Sequence, residues 1–322
     1  MSRFAPRIFS LTVVLLCACS LRCQQSARRV AVTIDDLPGT TALAMTGSQV
    51  AALNSKLTAT LRAEKIPVIG FVNEGRLYRI GEVDDRIRAL SMWPEAGFDL
   101  GNHTFSHASL NHTPLAEWEL NVLRGDTVTR MLLDEHHLKF QYFRYPYLDM
   151  GADLDTRRKA EAFLVEHGYR IAPVTLDPWD WYFARVYEDA RNRQDTALEN
   201  RVVEAWLAHS DEIFAYYERK SRALFGYEPA QVILLHDNWM EADHISELLA
   251  MLRKRGYHFV TLDEALSDPA YSSPDTYVSG DGASSIDHWA LTRGKPEPAE
   301  PEPAIPEWVR DRVDALAANA RP

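Results

Sequence analysis

The stretch Val30-Ala31-Val32-Thr33-Ile34-Asp35-Asp36 decides the fold. Five β-formers and small residues in a row make a strand buried on both faces, and two acids end it abruptly. The same grammar repeats downstream. Ser48 is positioned to cap a helix carrying Val50, Leu53, Leu57 and Leu61 on one face, and a strand at Ile66 to Val72 follows. Ile87 to Trp93 reads as a short helix before a strand at Phe98 to Leu100. Thr113 and Pro114 open a helix containing Leu115, Trp118 and Val122, ahead of a strand at Phe140 to Phe143. Asp155 to His167 is helical, Tyr169 to Val174 a strand, Gln231 to Leu235 a strand, Ala242 to Arg255 a helix, and His258 to Thr261 the last strand. Strands alternating with crossover helices predict an α/β fold, a distorted (β/α) barrel of about seven strands, with an open doubly wound sheet as the competing arrangement.

Two segments break that rhythm. Between Arg191 and Tyr227, the residues Leu198, Val202, Trp206, Ile213 and Tyr217 fall near helical spacing, which predicts a helical insertion whose stripe packs as core. Beyond Ser267 the composition turns to Pro, Glu, Ser and Gly, including the run Lys295 to Pro303, and predicts a disordered acidic tail over residues 267–322 with a short helix at Pro306 to Ala318. The main folded domain is accordingly placed at residues 27–266.

Composition narrows the function. The chain has 322 residues, 46% hydrophobic and 25% charged, enough for a well-buried core. Its net charge of -11 argues against a surface that neutralises phosphates, so nucleic acid is excluded as a partner. The three cysteines, Cys17, Cys19 and Cys23, all lie in the first 23 residues. Any metal in the remainder must be held by His, Asp or Glu. Arg3 and Arg7 precede an apolar run from Ile8 to Cys19 that reads as an export signal, either an ordinary signal peptide or a lipoprotein signal. Leu16-Cys17-Ala18-Cys19 is similar to a lipobox with Cys19 as the lipidated residue, which would tie the protein to a membrane by its lipid alone. Residues 1–23 therefore predict a periplasmic or extracellular protein.

Polar residues cluster where strands end. Asp35 and Asp36 follow the first strand, Asn102 to His107 the third, Arg144 to Tyr147 the fourth, Asp177 to Trp181 the fifth, and His236-Asp237 the sixth. In a barrel these ends meet at one mouth. Each set alone is weak: among eleven histidines an H-x-x-x-H spacing recurs by chance, and an Asp pair after a strand is more often a turn. Their ordered appearance is much harder to reach by accident. His103 and His107 with one aspartate make a two-His, one-carboxylate site that leaves positions open for water and substrate. Neighbouring carboxylates on an extended strand leave in opposite directions, so one is free to act as a base.

In order, Thr33-Ile34-Asp35-Asp36, His103-Thr104-Phe105-Ser106-His107, Arg144-Tyr145-Pro146-Tyr147, Asp177-Pro178-Trp179-Asp180-Trp181 and Leu234-Leu235-His236 resemble the five motifs of the polysaccharide deacetylase family with the NodB homology domain, over roughly Arg29 to Leu266. The resemblance implies a distorted β/α barrel and a metal-dependent hydrolase that removes acetyl groups from N-acetylated glycans such as peptidoglycan, chitin or chitooligosaccharides. It implies that Asp36, His103 and His107 hold a divalent metal, usually zinc, which acidifies a bound water. Asp35 would be the general base, Arg144 would fix that carboxylate, and the backbone N–H of Tyr147 would stabilise the oxyanion. His236 would be the general acid, oriented by Asp180. Trp181 would wall the acetyl pocket, with Tyr147 and Pro146 contributing to substrate binding; Thr104 and Ser106 would be structural, and Trp179 and Tyr182 would stack on sugar rings. Ile34 stands where Phe is common and Leu37 where Gly is common, differences that bear on substrate more than on chemistry. An O-acetyl esterase on xylan or another glycan, a small-molecule amidase, and a non-catalytic glycan-binding envelope protein are the alternatives.

Overall fold

The computed structural model describes residues 27–295 and 301–319. The export signal, the lipobox with Cys19 and part of the Pro-Glu run lie outside the described residues. Seven parallel strands form one curled sheet: β1 (Arg28–Leu37), β2 (Val68–Val72), β3 (Asp99–Asn102), β4 (Tyr142–Phe143), β5 (Arg170–Ile171), β6 (Gln231–His236) and β7 (Tyr257–Phe259). The order is β5-β4-β3-β2-β1-β6, and β7 pairs with the start of β1. The ring closes through the chain that leaves β5. Leu176 bridges to Ile233 of β6, and the Leu234 N–H donates to the Leu176 carbonyl at 3.0 Å. The expected distorted barrel is present, and the open doubly wound sheet is not.

Strand alternation sorts β1 into two faces. Val30, Val32 and Ile34 face the outer layer, where they share a core with Val50, Leu53, Leu57 and Leu61 of α1 (Gly47–Glu64) and Ile245, Leu248 and Leu249 of α8 (Trp239–Lys254). Ala31 faces inward with Ile69, Phe71, Tyr142, Ala172 and Val232, so the barrel interior is filled by side chains. Thr33 and Asp35 continue that inward face toward the C-terminal mouth. The remaining crossover helices are α2 (Val83–Glu95), α3 (Leu115–Arg124), α4 (Thr127–Glu135), α5 (Leu154–Glu166), α6 (Asp180–Asn192) and α7 (Thr196–Phe225). Helix α1 starts two residues earlier than Ser48 suggests, because Thr46 and Gln49 form a reciprocal capping box.

The insertion is the end of α6 plus a single 30-residue helix, α7, capped at its start by Asp195 and ended by Gly226 at φ 79°. At a rise of about 1.5 Å per residue it is about 45 Å long. Its stripe is core, as the spacing predicts: Val202, Trp206 and Ile213 are fully buried.

The tail expectation needs correction. After α9 (Leu262–Leu266), residues 267–295 fold onto the barrel through a turn at Pro269–Ser272 and α10 (Ser285–Thr292). Helix α11 (Glu307–Asn319) packs against α6. The polar composition conceals a few anchors: Ile286, Trp289 and Val309 are buried, and Tyr271 stacks edge-on against Trp289 at 5.5 Å. Among the described residues, no helix is long and apolar enough to cross a membrane.

Candidate active site

The mouth is built from the end of β1 outward. Extended backbone would send Asp36 away from Asp35. Instead, Asp36 has φ 73°, and the register between β1 and β2 shifts between Ile34 and Leu37. This left-handed residue, costly for a non-glycine, turns the Asp36 carboxylate back to the mouth. The loop after β3 uses the same device, with Thr104 at φ 62° and His107 at φ 59°. Asn73 Nδ2 donates to the carbonyls of His103 and Thr104, and Thr104 Oγ1 accepts from the Ala108 N–H at 2.9 Å, which pins that turn.

One donor set results. Asp36 Oδ1 lies 3.4 Å from His107 Nε2 and 3.8 Å from His103 Nε2, and the three ligand atoms fall within 4.8 Å of one another. His103 Nδ1 meets the Arg144 carbonyl at 2.9 Å, which leaves Nε2 for the site. Asp36 Oδ1 is buried and accepts no hydrogen bond of acceptable geometry. A buried anionic oxygen that faces two imidazole nitrogens fits a divalent cation. Burial opposes the Asp36 charge, but Arg76, His107 and the other imidazoles outweigh it and hold the carboxyl well below the usual range. Burial lowers both His103 and His107, favouring the neutral rings that a cation requires.

Asp35 sits beside this set, its Oδ2 3.6 Å from His103 Nε2. Arg144 approaches it inside the barrel with Nη1 3.3 Å from Oδ2. The guanidinium is locked by Nε to the Ala172 carbonyl at 2.8 Å, by Nη2 to Thr33 Oγ1 at 3.0 Å, and by the Phe71 ring 4.6 Å away. Burial pushes Asp35 up to about 6 against the pull of Arg144.

On the far side, His236 Nδ1 meets Asp180 Oδ1 at 2.7 Å, and Asp180 Oδ2 accepts the His236 backbone N–H at 2.9 Å. Burial works against the imidazolium, but the Asp180 carboxylate overrides it and raises His236 to about 10. Behind Asp180 lies wholly buried Glu241, whose carboxyl burial and Asp180 push far up. Asp237, also wholly buried, is raised by burial to about 8.

The structure thus brings Asp35, Asp36, His103, His107, Arg144, Asp180 and His236 to one mouth, as the sequence predicts. Tyr147, at φ 59°, lines it and sets its ring 4.3 Å from that of His107. Trp181 lines it too, stacked on Tyr182 at 3.8 Å, whereas Tyr182 itself stays outside. Pro146 is a correction. It is buried at the first position of a short turn and does not line the cavity, so it stiffens the turn and does not contact what binds there.

Sequence reasoning missed Arg76. Its Nη2 lies 3.0 Å from Asp36 Oδ1, while Nη1 donates to the carbonyls of Asp36 and Gly39 at 2.7 and 2.9 Å. It follows no strand-end motif, and a lone arginine in a turn gives no signal. Also missed were Tyr216, Tyr217, Tyr277, Asp287, Leu291 and Glu302, which complete a cavity of about 680 Å³.

Comparison with known proteins bears on family and fold. The family model described as polysaccharide deacetylase matches residues 23–171. No curated protein matches. Among solved structures, the chitin deacetylase of the fungal pathogen Colletotrichum lindemuthianum is 20% identical, with 81% of this chain and 95% of that one covered at a TM-score of 0.50. A mutant of BA3943, a CE4 family pseudoenzyme from Bacillus anthracis, is 15% identical over 75% of this chain and 68% of that one, also at 0.50. At such identities these two likenesses speak to the fold alone. Over residues 23–171, this chain matches the polysaccharide deacetylase family.

Proposed function

We propose that this protein is a zinc-dependent hydrolase that removes acetyl groups from N-acetylated glycans built on N-acetylglucosamine. The observation that carries the reading is the filled mouth: a three-ligand donor set, a buried carboxylate beside it, and an Asp-supported histidine across from both. Asp36, His103 and His107 would hold the ion, which supplies Lewis acidity to water and to the acyl oxygen. Asp35 takes a proton from the attacking water, and Arg144 keeps its carboxylate oriented. The Tyr147 backbone N–H donates to the oxygen that gains charge. His236 gives the proton on Nε2 to the departing nitrogen, because Asp180 occupies Nδ1 and stabilises the charged ring. Attack and protonation from opposite sides yield acetate and a free amine with atoms and protons balanced. The export signal read in residues 1–23 would place this chemistry in the periplasm or outside the cell.

Acetate release from N-acetylglucosamine oligomers tests the reading. A chelator should abolish it and zinc restore it, with one equivalent of metal bound by the active protein. Full zinc occupancy without turnover on any acetylated sugar would overturn the hydrolase and revive a binding role.

A further inference from the structure

We infer, resting on the proposed deacetylase reading, that the cavity takes the acetylated end of a short oligosaccharide and does not accept an internal residue of a long polymer. The far wall of the cavity comes from parts of the chain beyond residue 171, outside the stretch that matches the family: Tyr216 and Tyr217 of α7, then Tyr277, Asp287 and Leu291, and finally Glu302. Residues 275–295, together with Glu302, contact opposite rims.

On the β3–β4 side, Asn111 Nδ2 donates to the Ser279 and Gly280 carbonyls at 3.3 and 3.0 Å, and Arg157 holds the Tyr277 carbonyl and the Asp275 carboxylate at 3.1 and 2.8 Å. Gly282 lies so close over the Tyr147 turn that a Cβ there would be 1.9 Å from the Tyr147 carbonyl oxygen. Any side chain at 282 would lift the strap. In the middle, the Ser285 N–H donates to the Val174 carbonyl at 2.7 Å. Below it, Asp287 is held by Lys220 and by the Tyr217 hydroxyl, the latter at 3.1 Å. At the other rim, Trp179 Nε1 donates to Glu302 at 3.3 Å.

A polymer residue attacked from within its chain needs open groove on both sides of it. Here one exit is crossed by this strap and backed by α7. The cavity volume, about 680 Å³, is within the range that holds a compact ligand. Its lining suits a sugar: aromatic faces from Trp179, Trp181 and Tyr217 for the C–H faces of the ring, with Asp287 and Glu302 to accept from hydroxyls.

The test is a ladder of N-acetylglucosamine oligomers from one to six units, with products sequenced by tandem mass spectrometry and p-nitrophenyl acetate as a small ester. The expected result is deacetylation at one terminal position only, with kcat/KM flat to within about twofold beyond the trimer. Leu291→Trp, which fills the cavity from a partly exposed helix position, should lower kcat/KM for the dimer about tenfold relative to the ester. Deacetylation of internal residues, or a tenfold rise in kcat/KM from trimer to hexamer, would overturn this inference and leave the deacetylase standing. An equal effect of Leu291→Trp on dimer and ester would also overturn it. Acetate release from none of these, with metal bound, would overturn the deacetylase reading and this inference with it.

Discussion

Residues 30–147 meet residues 177–295 and Glu302 across one cavity, and the two regions are built by different rules. The first region presents its chemistry at strand ends and in the turns just after them, where backbone geometry is unforgiving. Asp36, Thr104, His107 and Tyr147 all have left-handed φ values, each a local strain held by barrel packing. The second region contributes mostly helix and strap, anchored by apolar side chains such as Trp206, Ile286 and Trp289 and by scattered polar ties. Only the Asp180–His236 pair gives it a reacting group. Under the proposed deacetylase reading, the first region would set which bond is cut, and the second what is attached to it.

The largest separation between the two should come from Asp35→Asn. It removes the base and keeps Asp36, His103 and His107, so metal content should stay at one equivalent while kcat/KM falls by about 10³-fold, within the roughly 10²–10⁴ expected of a positioned base. Acetate assay and metal analysis on the same sample check this. Retained activity would move the base to another group and break the division of labour.

That division also explains what was legible in the sequence. Strands and motif residues of the first region could be placed because a buried strand ending in acids or histidines has few other readings. Asp36 does lie with His103 and His107, but its turn could not be foreseen, since nothing in Ile34-Asp35-Asp36-Leu37 signals a left-handed residue. The strap was misread because Ser, Gly, Asp and Pro dominate residues 273–284, and the composition averages away the anchors Tyr271, Ile286 and Trp289. Its order comes from contacts far away in sequence, such as Asn111 with Gly280, which no local pattern reports. Arg76 was invisible for the same reason: its meaning depends on Asp36, forty residues away. Helix α7 was foreseen as core, yet its two tyrosines face the cavity, a detail that helical period cannot separate from burial.

Acid titrates both regions, since His103 and His107 are lowered as well, but comparison with a non-titrating variant isolates one group of the second. His209 on α7 is 3% exposed, lies 5.4 Å from the Phe183 ring, and has Nε2 without a hydrogen-bond partner among the described residues. Burial lowers its pKa from 6.5 to about 4. The unfolded chain therefore takes up this proton first, so stability from the neutral ring is complete above pH 6.5 and is lost as pH falls toward 4. The loss approaches roughly 3 kcal/mol at pH 4. His209→Leu cannot titrate there, and its unfolding midpoint in denaturant should fall less than that of the wild type between pH 7 and pH 4. Parallel acid curves would mean that the ring is hydrated or protonated in the folded state.

The smallest effect tests the one reacting pair that the second region supplies. An amine is a poor leaving group and needs its proton as the bond breaks, whereas an ester's alkoxide leaves more readily without one. His236→Ala removes the donor held by Asp180, so the amide reaction should slow by about 10²-fold. The ester reaction on the same metal site should slow by about tenfold, leaving a differential near 10, or about 1.4 kcal/mol of barrier. Asp180→Asn supplies the internal control, since it keeps the imidazole and loses the carboxylate that keeps it charged. Its losses should follow the same amide-over-ester order and be smaller in size. Equal losses on both substrates would mean that His236 serves the site by shaping it and not by giving a proton, and the second region would then hold no chemistry at all.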